Sequence, residues 1–217
     1  MRNTLRQQTT FVKQFGSRFE TTGSLIPSSR FLARAITRYV QERGDAQIRV
    51  LECGPGTGPF TDRIVRLLKP GDAYHLVELN EHFVEVLHER FANEPHWQRA
   101  LKMSNIYQLP LQEFEPGEQY DFIISGLPHI NFSTTVVEAI TAAYFKLLKP
   151  GGMLSYFEYM YVRPIRKIVT LGSDRQRIHE VNAVMEGHIS RHRVRRQSIL
   201  LNIPPAWIQH LRLDATI

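Results

Sequence analysis

The chain of 217 residues is long enough for one domain with a sizeable core, and its 42% hydrophobic and 22% charged composition is ordinary for a soluble globular protein. Its single cysteine, Cys53, excludes an internal disulfide framework, and the sequence predicts no metal site. No apolar run approaches the roughly 20 residues that a membrane-spanning helix requires, and residues 1–20 lack the pattern of a signal peptide.

The formal net charge is +6, and two basic segments account for the excess of positive charge. Residues 1–20 contain four Lys or Arg and one Glu, and residues 161–200 contain nine Lys or Arg and three Asp or Glu. The rest of the chain is mildly acidic. This distribution favours an anionic partner, either a membrane surface or a nucleic acid, and the alternative is a solvated basic face.

Hydrophobic periodicity predicts strands that alternate with helices. In chain order the predicted elements are a helix at 25–43, a strand at 48–53, a helix at 60–68, a strand at 73–78, a helix at 81–92, a third strand near 98–103, a strand at 120–125, a helix at 133–148, a strand at 153–159, a polar helix or mobile segment at 174–192, and two closing strands at 199–203 and 207–213. This order predicts an α/β fold, with ligands bound at the carboxyl ends of the strands.

A glycine-rich loop directly follows the first predicted strand. Gly54, Gly56 and Gly58 have the spacing Gly-x-Gly-x-Gly, and Glu52 ends the strand before them. Such a turn lets the backbone approach a ligand closely and directs N–H groups toward it. We expect Glu52 to anchor the loop or to face the ligand, and a surface carboxylate at a strand end is the alternative.

Two later positions fit a nucleoside ligand. Glu78 ends the second predicted strand 20 residues after Gly58, where nucleotide-binding folds place an acid that binds ribose hydroxyls. Asn105 and Ile106 fall in the predicted loop after the third strand. Asn105 is a candidate to hydrogen-bond an adenine edge and Ile106 to pack on the ring, and an Asx-turn is the alternative.

The whole succession resembles the class I S-adenosylmethionine (SAM)-dependent methyltransferases over roughly residues 48–160. The resemblance implies a Rossmann-like, seven-stranded, mostly parallel sheet with helices on both faces and an antiparallel last strand. It also implies SAM as cofactor and S-adenosylhomocysteine as product. Asn105 stands where Asp is more usual in the family. The residues expected to bind the cofactor are Glu52, Gly54, Gly56, Thr57, Gly58, Glu78, Leu79, Asn105, Ile106 and Ser125.

Three segments resemble the narrower group of bacterial phospholipid N-methyltransferases. They are residues 27–35, residues 125–132 with Ser-Gly-Leu-Pro and Asn-Phe, and residues 202–206 with Asn-Ile-Pro-Pro-Ala. This resemblance implies methylation of phosphatidylethanolamine and its methylated forms by a cytoplasmic enzyme associated with the inner face of the membrane. One departure is that Tyr159 is not followed by the Gly-Pro that the family often has there.

The expected substrate contacts follow from these segments. We expect Tyr159 and His129 to orient the amine or take its proton, and a structural histidine is the alternative at position 129. Arg30 and the basic residues 191–196 are expected to hold the lipid phosphate. The residues expected to bind substrate are Arg30, Leu127, Pro128 and Asn131.

The N-terminal segment has its own pattern. Phe11, Phe15 and Phe19 lie four residues apart on one helical stripe with basic residues around it. The pattern predicts an amphipathic helix at an anionic membrane surface, and a lid on the domain is the alternative. We expect residues 1–44 to form this helical segment and residues 45–217 to form the methyltransferase domain.

Two other functions remain open: an RNA-adenine or protein N-methyltransferase that uses the basic residues 161–200, and a non-catalytic SAM-binding module. Amine-directed nucleic-acid methyltransferases often carry Asn/Asp-Pro-Pro-aromatic after the fourth strand. Here Leu127 and Pro128 are preceded by Gly126 and followed by His129. The loop therefore favours a lipid amine over a base, and we expect no stable nucleic-acid partner.

Overall fold

A computed structural model describes residues 27–160 and 173–215. Its helices are α1 (Pro27–Ile36), α2 (Arg38–Gln41), α3 (Thr61–Leu67), α4 (Glu81–Asn93), α5 (Pro95–Ala100), α6 (Thr134–Leu147) and α7 (Ser173–His192). Its strands are β1 (Arg49–Cys53), β2 (Ala73–Val77), β3 (Ser104–Tyr107), β4 (Tyr120–Ser125), β5 (Leu148–Tyr159), β6 (Arg193–Ile199) and β7 (Ala206–Arg212). The phenylalanine stripe of the N-terminal segment lies outside the described residues.

The seven strands form one sheet in the order β3-β2-β1-β4-β5-β7-β6. Strands β1 to β5 are parallel, and β7 runs antiparallel to both of its neighbours. The sheet therefore confirms the predicted α/β fold. From β1 the chain continues to β2, and from β4 it continues to β5 in the opposite lateral direction along the sheet. The loops that follow β1 and β4 therefore lie side by side at the switch point, where the strand order reverses.

Helices cover both faces of the sheet. Along β1, Val50 faces a core built with α1 to α5, and Leu51 faces a second core built with α6 and α7. This alternation is the two-residue period of a strand that is buried on both sides. The core with α1 to α5 includes Ile36 and Val40, so the described part of the predicted segment 1–44 packs on the domain. The boundary at residue 44 stays a prediction.

Two predicted strands were wrong. Residues 95–103 are helical, because Pro95 is favoured in the first turn of α5 and the spacing of Trp97 and Ala100 buries one face of that helix. The third strand is therefore residues 104–107. Of the strand predicted at 199–203, only Ile199 is in a strand, as the last residue of β6. Residues 200–203 form a turn in which the Asn202 side chain donates to the carbonyl of Pro204 at 2.7 Å.

The polar segment near residue 180 is a helix, α7, which completes the second face. Val181, Met185 and Ile189 lie four residues apart and are buried against α6. The His188 ring stacks on Phe145 at 4.8 Å between centroids. Over residues 27–160 and 173–215, no helix combines the length and the apolar character needed to cross a bilayer.

Candidate cofactor site

The glycine loop joins β1 to α3 at the switch point. Its three glycines, Gly54, Gly56 and Gly58, have φ angles of +66°, +58° and +84°. A Cβ at Gly54 would lie 2.5 Å from Cδ2 of Leu127, whereas a Cβ at Gly56 would meet no atom within 4 Å. Glycine at position 54 is favoured by its positive φ and by the close approach of the Leu127 side chain, and Gly56 faces open space that a ligand can fill.

Glu78 holds the glycine loop and the start of α4 together. Its Oε2 accepts from the backbone N–H of Gly56 at 3.1 Å, and its Oε1 accepts from the N–H groups of Leu79 and Asn80 at 2.8 and 2.9 Å. Burial raises the pKa of Glu78, and these backbone bonds act in the opposite direction. A carboxylate accepts about four hydrogen bonds, so Oε2 retains capacity for a ligand hydroxyl.

Glu52 is fully buried beneath the loop. Its Oε2 accepts from Thr61 Oγ1 at 2.8 Å and from the hydroxyl of Tyr74, so that it ties β1 to α3 and β2. Burial raises the pKa of Glu52 to about 7, although the bonds from Tyr74 and Thr61 lower it. Its Oε1 is buried and has no hydrogen-bond partner among the described residues, which suits a cationic donor from a ligand.

A side-chain network that sequence reasoning missed supports the outer flank of the loop. Arg90 Nη1 donates to the carbonyl of Thr57 at 2.8 Å, and the guanidinium lies 4.1 Å from the ring centroid of Trp97. Arg90 Nε also donates to Glu94 Oε1 at 2.6 Å. The residue Thr57 is exposed, and the contact that it makes with Arg90 is through its backbone carbonyl. Only the i, i+4 spacing of Arg90 and Glu94 was visible as a signal in the sequence.

The loop after β4 packs directly against the glycine loop. The Gly126 N–H donates to the carbonyl of Cys53 at 2.8 Å, and a Cβ at Gly126 would lie 2.5 Å from the carbonyl oxygen of Gly54. Ser125 is fully buried, and its Oγ accepts from the Leu127 N–H at 3.2 Å. Ser125 therefore shapes the backbone of this loop.

Tyr144, on α6, joins Ser125 to His129. Its hydroxyl lies 2.6 Å from Ser125 Oγ and 3.1 Å from His129 Nε2. The His129 ring is buried and meets the rings of Tyr144 and Tyr156 edge-on. These contacts support the structural alternative for His129, and its role toward an amine stays a prediction.

Tyr159 ends β5 on the opposite face of the sheet from His129. Its ring packs edge-on against Phe157, which in turn meets Phe60 at 5.8 Å between centroids, and Phe60 follows the glycine loop. Burial raises the pKa of Tyr159, so its hydroxyl stays protonated at neutral pH. Tyr159 is therefore not a phenolate base at neutral pH, and its role in orienting an amine stays a prediction.

The remaining predicted residues lie around this edge. Asn105 is exposed on β3 itself, opposite His75, so its predicted place in a following loop was wrong. Ile106 is half-buried against the core with α1 to α5. Asn105 and Ile106 are paired to β2 because the backbone ladder continues to Tyr107, and their adenine contacts stay predictions.

The predicted substrate residues are partly exposed. Arg30 is exposed on α1, which packs across β5, β6 and β7. Pro128 and Asn131 are half-buried, and Oδ1 of Asn131 is buried without a hydrogen-bond partner in the described part of the chain. Leu127 contributes to the core with α6 and α7 and faces Gly54.

Comparisons with known proteins identify the kind of domain in which this site lies. Residues 50–152 match the family model of a methyltransferase domain. An ornithine lipid N-methyltransferase from Singulisphaera acidiphila is 29% identical over 151 residues, covering 69% of this chain and 77% of that protein. A ribosomal RNA small subunit methyltransferase A from Parasynechococcus marenigrum is 38% identical over 81 residues, covering 37% of this chain and 25% of that one.

A solved structure shows the same fold. An O-methyltransferase from Bacillus cereus, in complex with SAH, superposes with a TM-score of 0.66 at 17% identity, covering 97% of this chain and 90% of that one. The open space at Gly56, the acceptor capacity of Glu78 and the unpartnered Oε1 of Glu52 fit SAM in this chain. We conclude that residues 50–152 form a methyltransferase domain, that the chain has the fold of the class I methyltransferases, and that it uses SAM as its cofactor.

Proposed function

We propose that this enzyme methylates the amine of a membrane lipid head group, with phosphatidylethanolamine and its methylated forms as substrates. The observation that carries the proposal is the similarity to the ornithine lipid N-methyltransferase, which extends over 69% of this chain. Ornithine lipid and phosphatidylethanolamine both present an amine at a bilayer surface. The proposal includes peripheral association with the inner face of the cytoplasmic membrane.

The loop after β4 supports a lipid over a nucleic acid. In base-flipping methyltransferases an aromatic side chain in this loop stacks on the extruded base. Here the corresponding residue, His129, is only 6% exposed and its Nε2 faces Tyr144. A ring buried in this way cannot stack on a base without a rearrangement of the loop. The match to the ribosomal RNA methyltransferase covers only 37% of this chain.

Each residue of the site has a defined task in this reaction. SAM, when bound, would supply an electrophilic methyl group to the amine nitrogen, with the electron pair of the broken C–S bond left on sulfur. Glu78 and Gly56 would hold the nucleoside end, and Glu52 would receive the ammonium of the amino-acid end. The protonated hydroxyl of Tyr159 orients the amine. The amine must reach the site neutral, because its lone pair forms the new bond.

Methyl transfer from labelled SAM tests the proposal directly. The enzyme is incubated with three separate acceptors: vesicles containing phosphatidylethanolamine, vesicles containing ornithine lipid, and total RNA. We expect label in the phosphatidylethanolamine fraction. Label confined to ornithine lipid would support a lipid amine as the acceptor but would show that the substrate is ornithine lipid and not phosphatidylethanolamine. Label confined to RNA would overturn the proposal. No label in any acceptor, with SAM binding intact, would favour the non-catalytic module.

A further inference from the structure

The turn between β6 and β7, residues 200–205, exposes a cluster of large apolar side chains. Leu200, Leu201 and Ile203 are 69%, 66% and 73% exposed. Isolated exposed apolar residues are common on protein surfaces, but three within four consecutive positions form a local patch. We call residues 200–205 the hairpin tip.

The hairpin tip has a defined conformation. Asn202, between the exposed residues, is 5% exposed, and its side chain donates to the carbonyl of Pro204 at 2.7 Å. The Met160 N–H donates to the carbonyl of Pro205 at 2.8 Å, which fixes the tip to the end of β5. The apolar side chains are therefore presented outward by a turn whose own polar group is satisfied internally.

The hairpin tip lies at the same edge of the sheet as the cofactor loop. Ala206 begins β7 and pairs with Tyr159 at the end of β5 and with Ile199 at the end of β6. Because β7 is antiparallel, the turn before it sits at the carboxyl ends of the parallel strands. A surface that covers the tip therefore also faces the edge at which Tyr159 and Gly56 lie.

The β6–β7 hairpin that carries the tip is positively charged, which favours an anionic surface. Residues 193–212 contain four arginines and no Asp or Glu. Arg193, Arg195 and Arg196 are exposed on β6, an edge strand that runs toward the tip. Arg196 is the nearest of them to the tip, and its guanidinium lies 5.1 Å from the ring centroid of Trp207, near the start of β7. Apolar side chains at a tip with arginines and a tryptophan behind them match the interface of an anionic bilayer.

We infer that the hairpin tip inserts into the interface of an anionic lipid bilayer and turns the cofactor edge toward the head groups. This inference rests on the proposed lipid substrate, because it explains how an amine held in a bilayer reaches Tyr159. It adds a contact surface within the catalytic domain, separate from the phenylalanine stripe predicted for residues 1–20. The partner is the bilayer itself, recognised by apolar insertion and by positive charge.

A fluorescent label tests the insertion in the full chain. Cys53 is buried with a raised pKa, so a thiol-reactive, environment-sensitive dye attaches selectively to a new cysteine in Leu201→Cys. The matched control is Leu101→Cys, because Leu101 is also exposed but precedes β3 at the opposite edge. With phosphatidylglycerol vesicles we expect a blue shift and protection from iodide at position 201 and neither change at position 101.

Two results of this measurement would overturn the inference. Equal behaviour of the two labels would show that the tip does not enter the bilayer. A label at position 201 that is already protected without vesicles would show that another part of the chain, or a second copy, covers the tip.

A double variant separates membrane docking from catalysis. In Leu201→Glu/Ile203→Glu we expect co-sedimentation with phosphatidylglycerol vesicles to weaken about tenfold or more, because insertion would then bury two charges. Activity on a short-chain, water-soluble phosphatidylethanolamine should be retained. Unchanged vesicle binding would overturn the inference. Absence of methyl transfer to any lipid by the unaltered enzyme would instead overturn the proposed function, and the binding assay would still report on the tip.

Discussion

The carboxylate of Glu78, at the end of β2, accepts a hydrogen bond at 3.1 Å from the backbone amide of Gly56, in the loop that follows β1. The same carboxylate accepts from the amides of Leu79 and Asn80 at the start of α4. One buried side chain therefore sets the conformation of the glycine loop and also presents an acceptor beside it. Any substitution at Glu78 should therefore alter both the conformation of the glycine loop and the acceptor beside it.

Replacing Glu78 with Ala should reduce SAM affinity by about a hundredfold or more, because charge-assisted hydrogen bonds contribute about 1.5–3 kcal/mol each. Isothermal titration calorimetry measures the affinity. The control is Glu81→Ala, an exposed residue in the first turn of α4. Retention of full SAM affinity in Glu78→Ala would contradict the assigned cofactor site.

Replacing Gly56 with Ala should weaken SAM binding about tenfold or more, since the added methyl group enters the space assigned to the ligand. Gly117→Ala is a matched control, because Gly117 also has a positive φ, +75°, and also has no atom within 4 Å of an added Cβ. Each variant should lose about 1–2 kcal/mol of stability in urea denaturation from backbone strain. Equal SAM affinity in the two variants would place the ligand elsewhere.

Glu52 makes the stability of the ligand-free protein depend on pH. Its pKa is raised from 4.5 to about 7, so the folded state holds the proton more tightly than the unfolded state does. This stabilisation is present below pH 4.5 and is lost as pH rises to about 7. Glu52→Gln cannot ionise, and at pH 8 it should be more stable than the unaltered protein by up to about 3 kcal/mol.

Urea denaturation at pH 5 and pH 8 measures the effect of Glu52→Gln. The control is Glu115→Gln, whose side chain is 76% exposed. A stability difference that is the same at both pH values would show that Glu52 is ionised in the folded protein throughout. Glu52→Gln should also weaken SAM binding, since the neutral amide attracts an ammonium group less strongly than a carboxylate does.

Tyr144→Phe should destabilise the protein by about 1–3 kcal/mol, because it leaves Ser125 and His129 buried without their shared hydroxyl. The control is Tyr107→Phe, which removes a hydroxyl for which the structure shows no hydrogen bond within the described residues. Denaturant unfolding of both variants gives the comparison. Equal stabilities would mean that Ser125 and His129 find other partners when the hydroxyl is removed.

Tyr159→Phe should lower kcat about ten- to a hundredfold and leave SAM affinity unchanged, as expected for a lost orienting hydrogen bond of about 1–3 kcal/mol. Because the pKa of Tyr159 is raised above 10, its ionisation should add no step to the pH–rate profile below pH 10. Steady-state kinetics across pH, with calorimetry for SAM, measures both quantities. An unchanged kcat would remove Tyr159 from the reaction.

Local patterns in the sequence were enough to predict the central strands and the position of the glycine loop. The run that became β1, the Gly-x-Gly-x-Gly spacing and the acid ending β2 are each short stretches whose residue types reflect burial or backbone geometry. Patterns failed where a local rule was overridden. Pro95 begins a helix and Trp97 buries one face of it, so the third strand starts later than predicted. The Asn202 side chain donates to the Pro204 carbonyl and so stabilises a turn where a strand was predicted.

Only the tertiary structure showed how distant residues share one site. A Cβ at Gly126 would lie only 2.5 Å from the carbonyl oxygen of Gly54, and no spacing in the sequence predicts that contact. Tyr144 lies on a helix that no motif marked, yet its hydroxyl joins Ser125 to His129. The sequence by itself determined the fold class and the cofactor loop, because these follow from short-range periodicity and backbone geometry. Which side chains face the substrate depended on the packing of strands and helices far apart in the chain.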